Sequence, residues 1–158
     1  MESYDLYIVP GGRGRGIAVY IKEDLFEKAE CIEQFNYSYL NASKLTFPGI
    51  EIIGVYVPPD VNIQTVALEL GKFAEKKNCI IIGDFNFDYT SLPNHPIRSN
   101  LSRNSFQQHV TKPTHYKGNA IDHIYTRGNF EVLKVARLTA HYSDHFGVGV
   151  CIPYQAIN

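Results

Sequence analysis

Four short segments carry side chains whose types and spacing could do chemistry. Ile80-Ile81-Ile82-Gly83-Asp84-Phe85-Asn86 is an apolar strand that runs into an Asp and an Asn two residues apart. Side chains two apart on a strand point the same way, so this carboxylate and amide can face one pocket. Ala120-Ile121-Asp122-His123-Ile124-Tyr125 embeds an acidic residue in a strand that otherwise suits burial. A buried carboxylate without a partner costs on the order of several kcal/mol, so Asp122 demands a cation or a histidine nearby. His145 is a candidate; it lies in Tyr142-Ser143-Asp144-His145-Phe146-Gly147-Val148, directly before another apolar strand. Gly54-Val55-Tyr56-Val57-Pro58-Pro59 ends a strand on a tyrosine held by two prolines. Asp84, Asn86 and Asp144 are hard oxygen donors, which favour Mg2+ or Mn2+. The spacings of His109, His115, His123 and His141 fit no compact zinc motif, and His95 reads as loop.

Taken singly, each segment has an ordinary structural reading. An Asp or Asn after a strand is commonly a turn residue, because its side chain bonds nearby backbone. Ser143-Asp144 could cap a turn, His145 could be a surface histidine and Tyr56 could be core. Taken together, the order Tyr-x-Pro, Gly-Asp-x-Asn, a strand Asp and Ser-Asp-His resembles the endonuclease/exonuclease/phosphatase family. The resemblance runs from about Tyr4 to Pro153. Within that family, Pro113-Thr114-His115-Tyr116-Lys117-Gly118-Asn119-Ala120-Ile121-Asp122-His123-Ile124-Tyr125 is similar to the Pro-Thr and Ile-Asp-x-Ile stretch of LINE-type non-LTR retrotransposon endonucleases. Gly14–Lys22 is similar to their Gly-rich strand leading to a basic residue.

The resemblance implies a metal-dependent hydrolase of phosphate esters. Phosphodiester cleavage needs an activated water, stabilisation of developing charge and a protected leaving oxygen. By resemblance Asp84 orients or deprotonates the water, and Asn86 bonds the phosphate or holds Asp84. His145, paired with Asp122, donates to a non-bridging phosphate oxygen, and Tyr56 contacts the phosphate from the other side. Asp144, with Asp84, helps hold Mg2+ or Mn2+; Thr114, Asn119 and Arg15 contact phosphate or backbone. The implied fold is α+β, a four-layer sandwich of two stacked, mainly antiparallel sheets with outer helices. In the family an Asn-bearing strand, a helix and a strand ending in Gln-Glu come first, and that Glu is the main metal ligand. Here the sequence opens on what resembles the following strand, Asp5–Val9, so those first strands, the Asn and the Glu are expected to be absent. An open sheet edge is then expected, able to take a protein partner.

The elements that must position these residues follow from periodicity. Leu6 and Ile8 read as a strand entering Pro-Gly-Gly, and Gly16 to Ile21 as a second strand with Ile17, Val19 and Ile21 on one face. The joining GGRGRG reads as a cationic hairpin tip. It is no P-loop, since no Gly-Lys-Ser/Thr follows. Lys44–Phe47 and Ile50–Val57 pair around Pro48-Gly49. Val61 to Lys77 has helical spacing, with Asn62 as N-cap and Asn78 as stop. Cys79–Ile82 suits a strand covered on both faces. Residues 88–120 read as loop with a short helix near Leu101–His109, and Ile121–Thr126, Phe130–Leu138 and Phe146–Ile152 as three further strands.

At 158 residues, 44% hydrophobic and 20% charged, the chain suits one globular domain, residues 1–158. Its net charge of −1 gives no global attraction to nucleic acid, so polyanion binding needs a local patch. Three cysteines without a C-x-x-C argue against a disulfide framework or zinc finger and for a reducing, intracellular (nuclear or cytoplasmic) setting; Cys79 and Cys151 sit in apolar runs that suit core. No signal peptide or membrane-spanning run is present in the sequence, so no membrane partner is expected. Three readings stand side by side. One is a retrotransposon-type endonuclease nicking the DNA backbone. Another is a phosphatase or phosphodiesterase of the same fold on a lipid head group, nucleotide or RNA tail. The last is a catalytically inactive remnant that binds nucleic acid or protein. A long basic groove favours a polymer, and a closed pocket favours a small molecule.

Overall fold

The computed structural model of the chain describes residues 3–11 and 15–153. The tip Gly12-Arg13-Gly14 and the side chain of Arg15 lie outside the described residues. The described chain runs through strands β1 (Tyr4–Gly11) and β2 (Arg15–Lys22), a single helical turn α1 (Glu23–Phe26), then strands β3 (Cys31–Tyr37), β4 (Leu40–Phe47) and β5 (Ile50–Tyr56). Helix α2 (Ile63–Phe73), strand β6 (Cys79–Asp84), helix α3 (Pro96–Arg103) and strands β7 (Gln107–Gln108), β8 (Asp122–Arg127), β9 (Lys134–Leu138) and β10 (Gly147–Cys151) follow.

A six-stranded sheet, ordered β3-β4-β5-β6-β8-β7, is the centre of the fold. Its one parallel pair is β5–β6, joined through α2 as a β-α-β crossover. Alternation on these strands separates two cores. Ile53, Val55, Cys79 and Ile81 face α2 and α3, packing on Val66, Leu70, Phe73, Ile97 and Leu101. Ile50, Ile52, Ile80 and Ile82 face the other way, toward the β1–β2 and β9–β10 hairpins through Val19, Ile21, Val148 and Val150. The result is an α+β sandwich, with helices on one face of the sheet and hairpins on the other. The apolar run Cys79–Ile82 is continuous because both faces of β6 are covered. No helix among the described residues is long and apolar enough to cross a membrane.

Helix α2 starts where the Asn62 side chain accepts a hydrogen bond from the Thr65 N–H at 3.1 Å. It ends at Phe73, before the expected stop at Asn78, because the buried Glu51 carboxylate captures the N–H groups of Glu75 and Lys76 at 3.0 and 2.9 Å. Those donors turn toward β5 instead of continuing the helix. Helix α3 also lies earlier than the expected Leu101–His109. Pro96 occupies its first turn, where the missing N–H is harmless, and residues 107–108 pair with β8 instead. Strand β3 has no counterpart in the sequence expectations. It is an edge strand whose Gln34, Asn36 and Tyr37 face solvent, so it lacks an apolar stripe. Cys79 is buried as expected, whereas Cys151 is exposed on the outer hairpin.

The end of β6 depends on Gly83, whose φ is 153°. A Cβ there would overlap the Val55 carbonyl of the adjacent parallel strand. Gly83→Ala is expected to destabilise the fold by about 3 kcal/mol, through backbone strain and steric overlap together. A thermal or urea melt of the variant beside the parent measures it; an unchanged midpoint would show that the β5–β6 approach is not required.

Candidate active site

One row of residues crosses the sheet in register. Asn41 of β4 pairs with Tyr56 of β5, Tyr56 with Asp84 of β6, and Asp84 with Asp122 of β8. All lie at strand ends on the hairpin-facing side, in step with Ile52, Ile82 and Ile124 below them. Asn41 is 3% exposed and donates to the Asn36 side chain at 2.7 Å, and Asn36 in turn donates to the Pro10 carbonyl at 2.6 Å. That links the row to the β1–β2 hairpin.

Asp84 is held from within its own loop. The Asn86 N–H donates to its Oδ1 at 2.9 Å. The Asn86 amide donates to the Val57 carbonyl at 2.8 Å and lies 3.4 Å from Asp84 Oδ2. Asn86 takes a left-handed conformation, φ 51°, as its short amide side chain tolerates. Burial raises the Asp84 pKa, the Asn86 N–H works against this, and the charge of Asp122 adds to it; the carboxyl is pushed up to about 6.

Asp122 receives its histidine. His145 Nδ1 donates to the Asp122 carboxylate, 3.0 Å from Oδ2 and 3.2 Å from Oδ1, which leaves Nε2 for the cleft. Thr114 fixes the geometry. Its hydroxyl, fully buried, accepts from the N–H groups of Ile121 and Asp122 at 3.0 and 2.9 Å. Its carbonyl accepts from the Phe146 N–H at 2.6 Å, and the Asp144 carbonyl accepts from the Tyr116 N–H at 3.0 Å. These bonds stitch the 113–119 turn to the segment bearing Asp144 and His145. Asn119 is exposed, and its carbonyl closes that turn by accepting from Thr114 and His115. Partial burial alone would lower the His145 pKa. The hydrogen bond and charge of Asp122, with the charges of Asp84 and Asp144, outweigh it and raise the pKa.

An open cleft of about 440 Å3 lies over this end, lined by Asp84, Asp122, Tyr142, Ser143, His145 and Phe146 among others. Among the described residues, two groups of side chains offer ligand atoms within 4.8 Å of one another: Asp84, Asp122 and His145, and His115, Asp144 and His145. Asp84 and Asp144 therefore each share a group with His145 rather than with each other. The donor set fits a hard divalent cation. Two carboxylates, Asp84 and Asp122, meet at one strand end; burial is the main cause of the raised Asp84 pKa, and the Asp122 charge that adds to it is repulsion a cation would relieve.

His115 and Asn41 are the members of this end that sequence reasoning did not assign. The His115 Nε2 lies 3.3 Å from Asp144 Oδ2, its Nδ1 accepts from the Lys117 N–H at 3.2 Å, and its ring meets His145 edge-on at 5.0 Å. The signal for His115 was adjacency to Thr114; its partner Asp144 is 29 positions away, beyond any local spacing rule. His123, in contrast, is fully buried against Phe85, Phe87, Tyr89 and Tyr125; burial pushes its pKa down to about 4 and keeps it neutral.

The Endonuclease/Exonuclease/phosphatase family model matches residues 3–145. No curated protein sequence matches the chain. Among solved structures, the endonuclease domain of TRAS1, a telomere-specific non-LTR retrotransposon, is 15% identical with a TM-score of 0.66, over 92% of this chain and 76% of that one. An endonuclease/exonuclease/phosphatase family protein from Leptotrichia buccalis is 16% identical with a TM-score of 0.68, over 97% and 72%. The 3' phosphatase NExo from Neisseria, bound to a product DNA hairpin, is 12% identical with a TM-score of 0.65, over 96% and 80%. At such identities the likeness is one of fold.

The Asp122–His145 pair has a signed pH dependence. Because the folded pKa of His145 is raised, the stability it contributes is present below about 6.5, the ordinary histidine value, and is lost as pH rises through the folded pKa. Asp122→Asn is expected to bring the His145 pKa down and to remove that pH dependence. An NMR titration of the imidazole checks it; an unmoved pKa would show that the carboxylate does not set it.

Proposed function

The chain belongs to the endonuclease/exonuclease/phosphatase family, and from that premise we propose that it is a phosphodiesterase using Mg2+ or Mn2+ that nicks the DNA backbone, as a retrotransposon-type endonuclease does. The observation that carries this reading is the convergence of Asp84 and the Asp122-anchored His145 within 4.8 Å at one open strand end. Likeness in fold to an endonuclease domain and to a phosphatase bound to DNA supports DNA as the substrate.

The residues divide the work. Asp84 takes a proton from the attacking water, and its raised pKa makes it a stronger base than an ordinary carboxylate. Asn86 holds Asp84 in place through its N–H. His145, whose cationic form Asp122 favours, donates from Nε2 to a non-bridging phosphate oxygen as charge builds there. Tyr56, next to Asp84 in the register row, donates its phenol to the phosphate from the other side. Thr114 acts through Asp122, and Asn119 through the turn it closes. Asp84 in one ligand group and Asp144 in the other, the two groups sharing His145, are the carboxylates that would hold a cation, which when bound would supply Lewis-acid neutralisation of phosphate charge. Arg15 would add a backbone contact from the β1–β2 hairpin.

Supercoiled plasmid with Mg2+, beside an EDTA control, is the direct test. Nicking is expected with the parent. Asp84→Ala and His145→Ala are each expected to lower it by roughly 100- to 10,000-fold, with the circular dichroism spectrum retained. Equal nicking by parent and variants would sink the assignment. Cleavage of a small phosphoester without plasmid nicking would move the substrate away from DNA.

A further inference from the structure

Two adjoining grooves run along one side of the sandwich, away from the catalytic cleft, between segment 105–112 and strand β9. One, of about 440 Å3, lies between the His109–Lys112 stretch and the Val135–Arg137 stretch. The other, of about 500 Å3, lies between Gln107 and Lys134, with Arg127 and Phe130 in its lining. His109 and Val135 line both, so the two grooves adjoin along β9. At about 3.3 Å per residue the β9 wall is roughly 15 Å long.

The lining is one-signed. Lys112, Arg127, Lys134 and Arg137 contribute to it and no Asp or Glu does, in a chain whose net charge is −1. The two arginines are pinned in place. Arg127 donates to the carbonyls of Ala74 and Lys76 at 3.0 and 2.7 Å and lies over Phe106; Arg137 lies over the Phe146 ring. Lys112 and Lys134 are exposed. The groove also meets the catalytic end, because Arg137 donates at 2.8 Å to the carbonyl of Pro113, the residue before Thr114. A fixed cationic channel with rings in its lining, here Phe130 and His109, is how single-stranded nucleic acid is held without sequence preference: cations follow the phosphates while bases stack on rings.

We propose that this groove is a track for a single-stranded stretch of nucleic acid running from the catalytic end down β9. The track rests on the phosphodiesterase reading only in calling the bound strand a substrate. The exposed lysines supply phosphate contacts that can be removed without touching the catalytic residues.

The test is fluorescence anisotropy of a labelled oligothymidylate of about 16 nucleotides, the upper end of a single-strand site. The whole chain is compared with the Lys112→Glu, Lys134→Glu double variant across a salt series. Hydrolysis of a small chromogenic phosphodiester is followed in parallel. The double variant is expected to bind at least about 10-fold more weakly, to lose about 1.4 from the slope of log K against log salt, and to keep small-ester hydrolysis unchanged. Unchanged oligonucleotide binding in the variant, or no salt-dependent binding by the parent, overturns the track even where hydrolysis is intact. Displacement of the oligonucleotide by polyglutamate at equal charge also overturns it, in favour of an acidic peptide. Binding lost in the variant, from a parent that hydrolyses nothing, leaves the track standing and removes the phosphodiesterase reading.

Discussion

The Asp122 carboxylate is the constraint around which this molecule is arranged. It sits on a strand whose next four residues are buried, where an uncompensated charge is costly. His145 donates a hydrogen bond to it at 3.0 Å, and the Thr114 hydroxyl accepts from the N–H groups of Ile121 and Asp122. Thr114 comes from the loop before β8, eight positions away, and His145 from the loop between β9 and β10, 23 positions away, so one carboxylate draws three segments together. The Thr114 carbonyl to the Phe146 N–H then locks the loops to each other directly. Neither loop has an apolar core of its own, and the polar bonds around Asp122 do that work instead.

The central sheet makes this arrangement possible by having two dry faces. Because β5 and β6 are parallel and joined by α2, their C-terminal ends emerge side by side, and Tyr56 and Asp84 come into register. The antiparallel β6–β8 pair then sets Asp122 opposite Asp84. Burial raises the Asp84 pKa to about 6, and the charge of Asp122 at the same strand end adds to it. The same register sets two carboxylates side by side, a pair of oxygen donors of the kind a hard cation takes.

Charge elsewhere is partitioned by its surroundings. Near the opposite end of the sheet, Lys44 and Glu51 are buried, and Glu33 and Glu75 pair with the same ammonium; that cluster stops α2 and shapes the entry to β6. Along the β9 side, cations stand without carboxylates among the groove lining. A near-neutral chain can therefore present a locally cationic groove, because its charges are unevenly distributed over the surface.

The apolar alternation of β5, β6 and β8, the N-cap at Asn62 and the demand of Asp122 for a partner could all be read from the chain, because each depends on neighbours a few residues away or on a cost that burial makes unavoidable. The order of the four chemical segments likewise carried the family resemblance. What periodicity could not carry were elements held by distant or polar partners. Edge strand β3 has no apolar stripe, α2 is cut short by Glu51, 24 residues upstream, and α3 is set by Pro96 rather than by hydrophobic spacing. The pairing of His115 with Asp144, the place of Asn41 in the register row and the adjacency of the two grooves beside β9 belong to the tertiary structure alone. The physical reason is range: a sequence displays which side chains need burial or compensation, whereas strand register and loop closure decide which distant groups meet that need.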